Sequence, residues 1–143
     1  MSDHPRVTAG CLRHLVCLAL MLLALIQIGC LTAEQRWERL NQHFATDLAD
    51  TYPPGSTRAE VRAKNGRPAQ QGEVSFLTES AGFYAWCVRD CASKGKGTPE
   101  TYDAFTVTRE DHGEVLCGRH MYFEFVLYDQ GGVVIGSYLL FMS

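Results

Sequence analysis

The apolar run from Leu15 to Gly29, LVCLALMLLALIQIG, divides this chain before anything else about its fold can be decided. It holds no charge, and it follows Arg6, Arg13 and His14, so it has the proportions and the positive flank of a secretory signal. A segment of that kind cannot join a small globular core. The boundaries therefore read as a targeting segment over 1–29 and one domain over 30–143, expected outside the cytoplasm. The whole chain has 143 residues, 46% of them hydrophobic and 20% charged, which leaves enough apolar material after the run for one core but not two. A formal charge of −3, with Lys and Arg scattered among acids and no basic block, argues against nucleic acid as a partner.

The run ends in IGC, where Gly29 and Cys30 resemble the end of a bacterial lipobox. At such sites a small residue precedes a cysteine that is diacylated and becomes the new N-terminus, so Cys30 is the candidate lipidation site. Gln27 stands where these sites usually carry an aliphatic residue. Two other readings stay open. Leu15 to Ala33 is just long enough for an uncleaved anchor, since roughly 20 apolar residues span a bilayer. Ordinary signal cleavage would instead leave Cys30 as a passenger.

Beyond Cys30, Trp37, Leu40, Phe44, Leu48 and Tyr52 recur at three- and four-residue intervals, the stripe of an amphipathic helix. Glu34, Glu38, Arg39, Asp47 and Asp50 form its solvated face. Next comes PPGSTRAEVRAKNGRP, a short helix enclosed on both sides. Pro53, Pro54 and Gly55 do not continue the first helix, and Thr57 with Glu60 three residues later has capping-box spacing. Gly66 suits the position just past a helix end, and Pro68 blocks resumption. Two turns are unstable alone, so this helix is expected to dock on something larger, with Val61 and Ala59 packing against the first helix.

After Pro68 the period changes. GFYAWCVRD, DAFTVTRE, MYFEFVLYD and VVIGSYLLF are rich in aromatic and β-branched residues, and DQGG at 129–132 supplies a turn between the last two. The expectation is a sheet whose first strand is GFYAWCVRD and whose last two strands form a hairpin. In that hairpin Met121, Phe123, Phe125 and Leu127 share a face, joined by Val133, Ile135, Leu139 and Phe141, and helices cover only one side. The polar, Gly-rich stretch from Cys91 to Arg119 reads as an inserted loop or an extra hairpin.

GSTRAEVRAKNGRP, lying between a first helix and an antiparallel sheet, resembles the BamE (SmpA/OmlA) family of bacterial outer-membrane lipoproteins. The family motif runs G-[MS]-T-x-x-[EQ]-V and closes on G-x-P. Gly55, Ser56, Thr57, Glu60, Val61, Gly66 and Pro68 sit at its positions, while Lys64 and Asn65 stand where leucines are usual. The resemblance implies an α+β fold of two N-terminal helices on a three-stranded antiparallel sheet. It also implies a lipid-anchored protein of the outer membrane that faces the periplasm. The implied role is accessory, in outer-membrane protein assembly or envelope integrity, with the barrel-assembly complex as protein partner. A small exported binding or inhibitory module of the same fold, with an unrelated protein partner, is the other function class open to it.

Little in the chain points to chemistry. Cys11 and Cys17 fall in the signal segment, leaving Cys30 and the trio Cys87, Cys91 and Cys117. Export favours oxidation of two of the trio. If GFYAWCVRD pairs antiparallel with MYFEFVLYD, Cys91 comes beside Cys117, and the expected disulfide joins them, with Cys87–Cys117 the close competitor. His120 extends the set to C-x3-C and C-x2-H, a loose imitation of zinc-ligand spacing. Asp111 with His112 has the look of a solvated turn, and KGKG at 94–97 lacks phosphate-loop spacing. The expectation is a protein without catalytic residues, metal or cofactor, acting through contacts.

Overall fold

A computed structural model describes residues 9–29, 31–75, 77, 82–112 and 117–142. The chain separates into two compact units, Met1–Ala33 and Glu34–Ser143. The first holds α1 (Ala9–Gly29), whose apolar side chains lie exposed all around the helix, from Val16 and Leu22 at 52% to Met21 at 70%. Among the described residues no helix is long and apolar enough to cross a membrane.

In the second unit the aromatic stripe folds as two helices, α2 (Ala33–His43) and α3 (Ala45–Thr51). The helix bends at Phe44, where φ −97° and ψ 8° leave the helical well, although hydrogen bonds from Phe44 N–H to Leu40 O and from Leu48 N–H to Phe44 O carry across the bend. Leu40, Phe44, Leu48 and Tyr52 are buried as their spacing predicts, whereas Trp37, the first residue of the stripe, is half-buried and packs edge-on against Phe83 instead of with the other four. The enclosed helix is α4 (Arg58–Asn65). Thr57 caps it, Glu60 completes the reciprocal box, and Gly66 ends it at φ +79°. Val61 is buried, but Ala59 is exposed, so of the two expected packing residues only Val61 enters the core.

Among the described residues the sheet has four strands, not three. β1 (Gln70–Glu73), β2 (Thr101–His112), β3 (Cys117–Tyr128) and β4 (Val134–Phe141) form an antiparallel meander in chain order. β2 and β3 pair along their full length, from Thr101 opposite Tyr128 to His112 opposite Cys117. The Cys91–Arg119 stretch thus supplies a long central strand, the hairpin alternative of the two anticipated.

The expected first strand, GFYAWCVRD, is instead a helix, α5 (Gly82–Ser93). Phe83, Cys87 and Cys91 recur every four residues and are its buried positions, which is helical spacing despite the β-rich composition. This substitution changes the layering. Tyr122, Val126, Tyr128, Phe105, Val134 and Leu139 form one apolar layer with the stripe of α2 and α3 and with Val61. On the opposite face Tyr102, Ala104, Phe125, Leu127 and Tyr138 meet Phe83, Cys87 and Cys91 of α5. Helices therefore cover both faces, which explains why β3 from Met121 to Tyr128 is apolar on both faces apart from Glu124. A bulge between Leu127 and Tyr128 breaks the alternation of β4, so Ile135 packs with Phe125 and Leu127 in the α5 layer as anticipated, whereas Leu139 lies on the opposite face with Tyr122 and Val126, against the expectation.

Candidate functional site

Two acids are buried in the layer under α2–α4, and each is held by arginine. Asp103, on β2, is fully buried. It accepts hydrogen bonds from Arg58 Nη2 at 2.7 Å, Arg62 Nε at 2.9 Å, Arg62 Nη2 at 2.8 Å and Tyr128 Oη at 3.0 Å. Arg58 and Arg62 are one turn apart on α4, so the cap at Thr57 fixes the phase at which both guanidiniums reach one carboxylate. Arg58 also lies 5.0 Å over the Tyr128 ring. Burial by itself would raise the Asp103 pKa, but the hydrogen bonds from Arg62, Arg58 and Tyr128 outweigh it and hold the carboxyl below its ordinary value. The shortness of α4 acquires a reason here: two turns suffice to present Val61 and this arginine pair to the sheet.

Glu124, on β3, is the second buried acid. Arg109 Nε donates to it at 2.9 Å, and so does the hydroxyl of Tyr52 at the end of α3. Burial, followed by Glu124, pushes the Tyr52 hydroxyl pKa well up, and Tyr128 is raised by burial and then by Asp103. All four oxygens of the two acids already accept hydrogen bonds from the chain, so both serve as staples and neither is placed as a general base.

On the opposite face Cys91 Sγ lies 3.1 Å from Tyr138 Oη, which donates to Asp90 at 2.8 Å, and Lys94 Nζ reaches the same Asp90 oxygen at 2.9 Å. Cys87 and Cys91 are free, buried thiols whose pKa values are raised chiefly by burial, an environment that suppresses thiolate. The anticipated Cys91–Cys117 disulfide is therefore not made, and neither is Cys87–Cys117. The Cys91 thiol points from α5 into the sheet near Gly136, opposite Leu127, and Cys87 packs in the same layer, whereas Cys117 opens β3 at the far end of a strand roughly 35 Å long at about 3.3 Å per residue. The pairing rested on GFYAWCVRD being a strand. The same separation parts Cys87 and Cys91 from His120, and among the described residues no cluster of His, Cys, Asp and Glu could hold a metal ion.

Of the remaining motif residues, Gly55 takes φ +91° and donates to Val134 O at 3.3 Å, while Pro68 is half-buried behind α4. Cys30 and the side chains of Asp111, His112 and Cys117 lie outside the described residues. KGKG forms the turn after α5, with Gly95 and Gly97 at positive φ.

A further feature among the described residues is a cavity of about 190 Å³ along the outer edge of β4, smaller than the hollow of about 640 Å³ beside Arg58, Glu73 and Asp129. Ala45, Leu48 and Tyr52 form one wall, Trp86 and Tyr138 the other, and Glu38, Lys94 and Lys96 also line it. Its two ends are closed by chain that satisfies the β4 backbone. Asn41 forms both hydrogen bonds of a strand partner with Leu139, accepting from its N–H at 2.7 Å and donating to its C=O at 3.1 Å. At the other end Val134 donates to Ser56 O at 2.8 Å and accepts from Gly55 N–H. Nothing local to Asn41 points to this use of its side chain, because the residue it clips lies 98 positions away.

No protein-family profile, curated protein or solved structure matches the chain.

Proposed function

We propose that this chain is a membrane-tethered module of the bacterial envelope that binds a protein partner and performs no reaction itself. The observation that carries the reading is the contrast between the two units. α1 exposes its leucines on every side, whereas Glu34–Ser143 buries a continuous core on both faces of its sheet. An all-round apolar helix in water is unfavourable, so it belongs either in a membrane or in a removed leader. The IGC sequence supports the second course, with Cys30 lipidated and the domain held at the outer membrane facing the periplasm. Acyl chains at about 0.8 kcal/mol per buried methylene make such an anchor stable when several act together. Intact-mass spectrometry tests it: a product that begins at Cys30 with added lipid mass is expected, and a full-length unmodified chain in the inner membrane overturns it.

For the partner, the resemblance of GSTRAEV to the BamE motif supports an accessory role in outer-membrane protein assembly. α5, which closes the second sheet face, is no part of the two-helix, three-strand fold which that resemblance implies, so the motif's support does not extend to the choice of partner, and an exported binding module with an unrelated partner is the second reading. Affinity purification from solubilised envelope decides between them. Co-purification of barrel-assembly subunits supports the first, and a different stoichiometric partner supports the second.

A further inference from the structure

We propose that the cavity on the β4 edge is a slot for the C-terminal end of a peptide, taking its last residue, the amide before it and the terminal carboxylate. The inference names the chemistry of the partner and so rests on the reading of this domain as a binding module.

The backbone supplies the first argument. β4 is an edge strand, and Leu139 points its N–H and C=O outward to Asn41. In an antiparallel strand alternate residues share an edge, so Ser137 also points its N–H and C=O outward. Neither group meets a partner among the described residues, and Ser137 lines the cavity. One free donor–acceptor pair is what a single extended peptide residue engages when it adds to a sheet edge.

The closed ends supply the second. Asn41 on Leu139 and Gly55 with Ser56 on Val134 leave no passage for a chain running along the edge. A terminus fits where a through-going segment does not. The volume agrees: a cavity of about 150 Å³ holds benzene, so the 190 Å³ here suits a group of roughly N-acetylalanine size.

Charge supplies the third argument. Asp90 is already engaged by Lys94 and by Tyr138, which leaves Lys96 without an ion pair among the described residues. Glu38 stands on the α2 side and accepts from Gln42 at 3.3 Å. A carboxylate is thus attracted to the wall that carries Lys96 and repelled from the wall that carries Glu38, which sets the direction of the bound end.

The test is calorimetric titration of the full chain in detergent micelles with N-acetylalanine and N-acetyl-alanyl-alanine, each against its C-terminal amide. Saturable binding of the acids is expected, with the amides about tenfold weaker. Ser137→Pro deletes only an outward N–H at a position where an edge strand tolerates proline, and it should weaken the acids about fivefold to tenfold with the melting midpoint retained. Lys96→Met should weaken the acids similarly and leave the amides unchanged, and it decides the matter if Ser137→Pro does not fold. Absence of saturable heat, equal affinity for acid and amide, or Lys96→Met binding like the parent overturns the proposal. Lipid mass and partner capture are measured separately, so a failed titration beside a lipidated, partner-bound chain removes the slot alone.

Discussion

Replacing Asp103 by Asn tests the energetic centre of the domain. The change keeps size and shape but removes the charge that two guanidiniums and a tyrosine hydroxyl converge on, all within 3.2 Å. Removing one partner from a buried ion pair costs about 3–5 kcal/mol. Here the arginine side chains remain 26% and 38% exposed and can turn toward water, so the lower end applies, about 3 kcal/mol. For a domain of this size that corresponds to a fall in melting midpoint of roughly 12–20 °C. The pH dependence gives a second handle. The Asp103 pKa is depressed in the folded state below its ordinary 3.8, so its contribution is complete above that value and is lost as pH falls through the lower, folded one. The gap between parent and variant should therefore narrow below about pH 4. Thermal unfolding followed by circular dichroism at neutral and acid pH reads both effects. A neutral-pH loss under about 1 kcal/mol, or a gap that does not change with acid, would show that the arginines gain as much from water as from Asp103.

Three further outcomes are expected. Gly136→Ala places a Cβ 3.0 Å from Cys91 Sγ and 3.1 Å from the Tyr138 ring, so it should destabilise by about 1–3 kcal/mol, and Cys91→Ala in the same chain should recover part of the loss in thermal melts. Tyr52, Tyr128 and Tyr138 have raised pKa values, first through burial and then through Glu124, Asp103 and Cys91 respectively. Their neutral form stabilises the fold below about pH 10 and that stability is lost at higher pH, so absorbance titration should show these three ionising only as the chain unfolds. Val61→Asp sets an unpartnered charge in the α4–sheet contact and should cost several kcal/mol, whereas Lys64→Leu, which loses only a 3.2 Å hydrogen bond to Thr51 O, should leave the midpoint nearly unchanged.

The helical half of the domain was legible because its signals are local. A cap, a box partner three residues on and a glycine after the last turn concern neighbours only, and Thr57, Glu60 and Gly66 do what their spacing says. GFYAWCVRD misled because its composition and its period disagree. Aromatic and β-branched residues suit a strand, yet Phe83, Cys87 and Cys91 are four apart, and tertiary burial followed the period. β1 escaped notice for the opposite reason: Gln70, Gln71 and Glu73 are polar and exposed, and they form a strand only because β2 offers an edge. The buried acids left a faint trace. Glu124 is the only charge within MYFEFVLY, and Asp103 interrupts an otherwise apolar start to β2, but nothing local names Arg109, Arg58 or Arg62 as their partners. Those pairings become visible only when strands and helices are laid beside one another.

With helices on both broad faces, the backbone this domain leaves open to a partner lies at the sheet's two edges, and the chain treats them differently. β1 is four residues long, and its exposed Gln70, Gln71 and Glu73 keep it from templating another strand. β4 is twice that length and apolar, the kind of edge that invites uncontrolled pairing. Asn41 and the Gly55–Ser56 segment each occupy one of its outward positions, and the opening between them at Ser137 is too short for a second strand to pair in register. The same clips that suppress edge-to-edge association therefore give the slot its length. An Asn41→Ala variant should separate the two effects: it uncovers the outward groups of Leu139, so it should promote self-association in sedimentation velocity while lengthening the slot to admit a further peptide residue. A variant that stays as monodisperse as the parent would mean that the walls formed by α2, α3 and α5, rather than the Asn41 clip, keep other strands away.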